Sequence, residues 1–254
     1  PGGRMIVLKS AAELDAMHRS NRVVHLALNA VAEAAAPGVS TAELDSLAEE
    51  LILSEGGKPA FKGYRGFPAT LCTSVNDEIV HGIPSPKVQL REGDILSVDC
   101  GVILDGFFGD AALSFGIGHV NGVGERLMNV TKRCLDHAVE AVGPGKRLGD
   151  IGAAVQTHAE DSGFGVVREF VGHGIGRSLH EEPQVPNYGQ AGRGQILKPG
   201  LVLAIEPMIT AGSWRVKIDD DGWTARTEDG KLAAHFEFSV AVTSDGHRVL
   251  GLEE

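Results

Sequence analysis

The chain has 254 residues, 43% of them apolar, and a formal net charge of −11. This length holds one large domain or two small ones with a proper core, and the acidic balance disfavours general binding to nucleic acid or an anionic membrane. No apolar stretch approaches the roughly 18 residues that a bilayer span needs, and the three cysteines (Cys72, Cys100, Cys134) form no even framework and no CxxC, so a soluble cytoplasmic protein with reduced thiols is expected.

The N-terminus lacks the basic-then-apolar layout of a secretory signal, and Pro1–Arg4 ahead of Met5 reads as an appended remnant or a short arm. Helical periodicity runs from about Ala11 to Ala36 and stops at Pro37-Gly38. Ser40-Thr41-Ala42-Glu43 then starts a second helix with an N-cap and an acidic first turn. Its apolar face is Leu44, Leu47, Ala48, Leu51 and Ile52, and Gly56-Gly57 ends it. A second pair of helices is predicted from about Glu125 to Val142 and from Leu148 to Ser162. Period-two patterning predicts strands near Thr70–Ser74, Ile95–Ile103, Phe107–Phe115, Val166–Phe170, Leu201–Ile209, Trp214–Ile218 and His235–Val242. The reading is α+β: two helix pairs covering one face of a curved, mainly antiparallel sheet, with the other face left for a cleft.

The two helix pairs belong to an internal duplication. A shift of 107 positions carries Pro37-Gly38 onto Pro144-Gly145, and Arg91–Asp99 onto Lys198–Glu206. Asp99 in the first copy thus takes the place of Glu206 in the second. One duplication, with no composition break, argues for a single domain over 1–254 with halves at roughly 10–115 and 125–245.

Asp105-Gly106 is a two-residue hairpin signal between apolar strands. That register sets Leu104 opposite Phe107 and Asp110 opposite Gly101, so Asp99 and Asp110 become diagonal neighbours on one face. Glu206 closes the apolar run Leu201–Ile205. Glu237 shares a strand face with Ser239 and Ala241, away from Phe236 and Phe238. Four carboxylates on inner faces, with no matching set of inward lysines or arginines, call for cations. The run Gly172-His173-Gly174-Ile175-Gly176 leads to His180-Glu181-Glu182-Pro183. Its glycines leave His173 little steric cover, let backbone approach a ligand closely, and permit the bend that would bring His173 and His180 to one cleft. His81 stands in a third element, His81-Gly82-Ile83-Pro84. His18, His25, His119, His137, His158 and His247 read as structural.

These residues together resemble the type I methionine aminopeptidases. The likeness rests on Asp99, Asp110, His173, Glu206 and Glu237, on His81-Gly-Ile-Pro, on Gly172-His-Gly-Ile-Gly-Arg with His180-Glu-Glu-Pro, and on Ile205-Glu-Pro-Met, and it covers essentially the whole chain. It implies the pita-bread fold and a dimetal aminopeptidase that removes initiator methionine before a small second residue. Two divalent ions (cobalt, manganese, iron or zinc) would be bridged by Asp110 and Glu237, with Asp99 completing one and His173 with Glu206 the other. The resemblance makes Glu206 the proton shuttle, His81 a hydrogen-bond partner of the scissile amide, and His180 a donor to the carbonyl oxygen. It makes Tyr64, Phe67, Cys72, Leu179 and Trp223 an apolar pocket for the methionine side chain, with Cys72 a lining thiol and no nucleophile. The implied partners are nascent polypeptide N-termini, with transient ribosome contact, no nucleic acid or membrane, and a monomeric state. The chain departs from the common pattern at Leu179 (often aromatic), His235 (often glutamine), Phe238 (often histidine) and Ala111-Ala112 (usually a hydroxyl residue after the aspartate). Two other readings stay open: a peptidase of the same fold that cleaves before proline, and a non-catalytic binding module that would be expected to lack one or more ligands.

Overall fold

The computed structural model describes residues 6–253, so Pro1–Arg4 lie outside it. Helix α1 spans Ala11–Ala34 and α2 spans Thr41–Ser54. Both open with capping boxes: Ser10 and Ser40 each accept from the N–H three residues on, and Glu13 and Glu43 reach back to the cap N–H. Helix α3 (Gly122–Glu140) and α4 (Leu148–Asp161) form the second pair. All four stand within a few residues of the sequence expectation, because caps and glycine stops mark their ends locally.

Every strand pairing is antiparallel. The central feature of the first half is the hairpin of Ile95–Leu104 and Phe107–Gly116, flanked by Leu71–Val75 and Lys58–Pro59. Its turn is Asp105-Gly106, with φ of 53° and 77°; positive φ at both central residues is the type I′ condition, which glycine meets without steric cost. The ladder pairs Leu104 with Phe107 and Gly101 with Asp110, as the two-residue turn requires.

The second half is more broken. The expected strand Leu201–Ile209 is two strands, Val202–Ile205 and Met208–Thr210, parted at Glu206-Pro207, where proline has no N–H for a ladder. The expected strand His235–Val242 is likewise Ala233–His235 and Phe238–Val242, parted at Phe236-Glu237. In place of Val166–Phe170 there is only the two-residue strand Gly165–Val166, and of Trp214–Ile218 only Val216–Ile218 is strand. Among the described residues the antiparallel layer is made of four hydrogen-bonded sheets. One of them runs His247–Val249, Phe238–Val242, Val202–Ile205, Gly172–Gly174, Glu181–Val185. Another joins Val216–Ile218 and Ala225–Thr227 to Glu78–Val80 of the first half.

Each half has its own core. Val24, Leu28, Leu44 and Ile52 of the first helix pair pack on Leu96, Val98 and Val102. Leu127, Leu135, Ile151 and Val155 of the second pack on Leu203, Ile205 and Val240. Each such fully buried aliphatic side chain stabilises the fold by roughly 1.5–3 kcal/mol. A third cluster, including Met17, Phe61, Phe107, Ile175, Val202 and Leu250, joins the halves. Among the described residues no helix is long and apolar enough to cross a membrane.

Candidate active site

The hairpin register places Asp99 and Asp110 on one face. Asp110 is 4% exposed, and its backbone N–H donates to Asn21 Oδ1 of α1 at 3.2 Å. Glu237 is 2% exposed and sits between two strands, seated by a reciprocal bridge to the first-half hairpin: its N–H donates to Ala112 O at 2.9 Å and its carbonyl accepts from Ala112 N at 3.3 Å. Glu206 stands in the gap before Pro207, its carbonyl held by Asn187 Nδ2 at 2.9 Å. His173 lies on Gly172–Gly174. Its flanking glycines face neighbouring strands, and this corrects the expectation that they admit a ligand. A Cβ on Gly172 would meet Ala204 O at 2.3 Å, and one on Gly174 would meet Glu182 O at 2.2 Å. Only glycine allows those backbones so close.

His173 Nδ1 bonds the Gly174 carbonyl at 2.9 Å. A carbonyl only accepts, so Nδ1 carries the proton and Nε2 presents a lone pair. That lone pair faces Asp110 Oδ2 at 3.7 Å and Glu206 Oε1 at 3.5 Å. Donor atoms of Asp110, His173 and Glu237 lie within 4.8 Å of one another, as do those of Glu206, His235 and Glu237. Asp99 belongs to neither group of three, yet lies beside Asp110 and opposite Cys72 in the ladder.

The bend after His173 brings His180 back, with ring centroids 4.2 Å apart. Tyr64 Oη bonds His180 Nδ1 at 2.9 Å and the two rings stack. His81 has φ of 62° and packs edge-on to Phe170. A cavity of about 160 Å³ connects these groups; the lining contains every residue expected from the sequence: Tyr64, Phe67, Cys72, His81, Asp99, Asp110, His173, Leu179, His180, Glu206, Trp223 and Glu237. Phe67 and Trp223 meet edge to face at 5.1 Å. The sequence reading missed Phe61 and Arg65 in the same lining, and it treated His235 only as a departure from a pattern. None of the three carries a local signal: an aromatic beside a turn and an arginine after a tyrosine are common.

Electrostatics explain what the cluster lacks. Burial pushes the Asp99 carboxyl up to about 7. Burial, then Glu237 and Asp99, drive Asp110 well upward; Glu206 and Glu237 rise in the same way, first through burial and then through the neighbouring acids. The histidines go the other way: burial holds His173 near 3 and His81 near 4, in each case helped by His180. Burial also raises the Cys72 thiol well above its usual range, which removes it as a nucleophile at neutral pH. Asp99 Oδ1, Asp110 Oδ1 and Glu237 Oε1 are buried without a hydrogen-bond partner among the described residues. The only lysine or arginine lining the cavity is Arg65, exposed at its mouth. Four crowded carboxylates, neutral imidazoles and orphaned oxygens fit divalent cations of hard or borderline character.

The comparisons with known proteins agree with this chemistry. Residues 15–244 match metallopeptidase family M24. The chain is 49% identical to the methionine aminopeptidase of Clostridium acetobutylicum over 98% of its own length and 100% of that protein's. The crystal structure of methionine aminopeptidase from Thermotoga maritima superposes with a TM-score of 0.96 at 43% identity, covering 98% of this chain and 100% of that one. The prolidase of Pyrococcus furiosus shares the fold at 22% identity with a TM-score of 0.78, and 66% of its chain is covered.

Proposed function

The chain belongs to metallopeptidase family M24, and from that premise we propose that it removes N-terminal methionine from polypeptides, with residues 1–254 acting as one catalytic domain. The observation that carries the reading is the orphaned carboxylate cluster beside His173, opening into an apolar pocket made by Phe67, Leu179 and Trp223. Asp99, Asp110, His173, Glu206 and Glu237 would hold two divalent ions. Such ions, when bound, supply Lewis-acid activation of a water and of the scissile carbonyl.

The remaining work falls to the protein's own groups. Glu206 has a carboxyl raised by burial and a side chain still 14% exposed. It takes the proton of the attacking water and returns it to the leaving amine. His180 stays neutral because burial, and then Arg65, lower its pKa. With Nδ1 accepting from Tyr64 Oη, Nε2–H points its donor capacity at the carbonyl oxygen as charge builds there. His81, whose ring is fixed against Phe170, serves the scissile amide nitrogen. The pocket has room for a single side chain, and its aromatic walls suit an unbranched thioether. Substrates would be N-termini emerging from the ribosome, approached transiently by a monomer. The net charge of −11 argues against a lasting hold on ribosomal RNA.

Metal-loaded protein is expected to hydrolyse Met-Ala-Ser and to leave Ala-Pro-Ala intact. Preference for the second peptide would instead make it a proline-directed peptidase. Asp110→Asn should lower kcat/KM on Met-Ala-Ser by about a thousand-fold or more, since several kcal/mol of transition-state stabilisation are lost; retained activity would refute the site.

A further inference from the structure

His235 has no role in the scheme above, yet it is built into the same wall. The residue is 1% exposed. Its backbone is clamped from both sides by one residue of the first-half hairpin: His235 N–H donates to Ser114 Oγ at 2.8 Å, and Ser114 Oγ donates to His235 O at 2.8 Å. Its Nε2 lies 3.8 Å from Glu237 Oε2 and has no hydrogen-bond partner among the described residues. A buried ring nitrogen left without a partner is costly, and a fold retains one where something else fills the gap.

The spacing identifies what fills it. Two donors each about 2.1 Å from one ion are separated by at most ~4.2 Å. The 3.8 Å between Nε2 and Oε2 falls inside that limit. Glu206 offers a third donor atom, all three within 4.8 Å of one another, so a small side-chain adjustment of Glu206 would bring them to one ion. This is a second cradle, one imidazole and two carboxylates, sharing Glu237 with the cradle of Asp110 and His173. Resting on the metal centre proposed above, we propose that His235 is a further metal ligand, binding through Nε2 the ion held by Glu206 and Glu237. The centre then carries two imidazoles, His173 and His235. Imidazole favours zinc, cobalt and nickel over magnesium and manganese, so His235 biases the metal choice of this chain toward the later first-row ions.

The test reads coordination directly and needs no turnover. In cobalt(II)-loaded protein labelled with 15N-histidine, each coordinated imidazole gives its own hyperfine-shifted, exchangeable ring N–H resonance. The wild type should show two. His235→Gln should lose one of them and His173→Ala the other. Calorimetry should show zinc affinity reduced about ten-fold or more in His235→Gln, with a smaller zinc-to-manganese preference. A single shifted resonance in the wild type, surviving in His235→Gln, would overturn the assignment and leave His235 a neighbour of Glu237 only. Two resonances that both survive His235→Gln would overturn it equally. No shifted resonance at all would remove the metal centre itself, and this inference with it. A wild-type count of one overturns the assignment even if a variant fails to fold.

Discussion

The two halves of the chain deliver the same kind of group to the cleft by different means. In the first half, Asp99 and Asp110 sit on an unbroken ladder in which all ten residues of Ile95–Leu104 face all ten of Phe107–Gly116. Backbone register alone fixes their spacing. In the second half, Glu206 and Glu237 each stand in a gap between two short strands. They are located by contacts from elsewhere: the Asn187 amide on the Glu206 carbonyl, and the Ala112 bridge on Glu237. The first pair lies close in sequence; the second is separated by an excursion that carries Val216–Ile218 and Ala225–Thr227. The first side is thus set by its own ladder, and the second leans on contacts from elsewhere.

This contrast has measurable edges. The largest effect is electrostatic. Asp99 has a carboxyl raised to about 7 by burial, so the metal-free fold favours the proton there. That contribution to metal-free stability is present at low pH and is lost as pH rises through about 7. A bound cation must displace the proton, so metal affinity should fall at least about ten-fold for each pH unit below 7. His173, held near 3, adds no competing proton in that range. Calorimetric titration between pH 5 and pH 8 would read the slope, and Asp99→Asn should make it shallower, with the raised carboxyls of Asp110, Glu206 and Glu237 keeping the rest.

Next comes the support of the second half. Asn187 is 1% exposed and its Nδ2 is the donor to Glu206 O. Asn187→Ala should cost about 1–2 kcal/mol of stability through a buried carbonyl left unpaired. It should also lower kcat more than it changes KM, because Glu206 is the proposed proton shuttle. An unchanged kcat would mean that Glu206 is positioned by its own strand after all. The smallest effect belongs to the first half. Gly106→Ala, at φ of 77°, should cost about 1 kcal/mol in thermal unfolding, with kcat nearly constant, since the long ladder holds Asp99 and Asp110 without help from a perfect turn.

The same contrast governed what the sequence could disclose. The first helix pair was legible because Ser40 with Glu43, Pro37-Gly38 and Gly56-Gly57 are local marks, and the second because it repeats the first. The first-half carboxylates were legible because Asp105-Gly106 dictates a register and the register dictates the faces. Glu206 and Glu237 were legible as members of a repeat and a motif, but their strands were read as continuous. What interrupts them is a proline and a tertiary bridge, and a period-two pattern records neither. Asn187 and His235 escaped for a related reason. Their partners, Glu206 and Ser114, are distant along the chain, so no short-range spacing announces them. The glycines around His173 were noticed, but their purpose was misplaced, because close packing of strands and close approach of a ligand leave the same trace in a sequence.

Arg226, in the excursion, reaches Asp219 at 2.7 Å within its own segment and Asp77 and Glu78 at 2.8 and 2.7 Å in the first half. The same segment supplies Trp223 to the cavity. The carboxylate floor thus rests on the hairpin and the second-half strands, whereas this wall rides on a separate flap held to the first half by a short strand pairing and one cationic knot. Appetite for one side chain or another could drift through changes to that flap alone, with the hydrolytic machinery beneath it untouched.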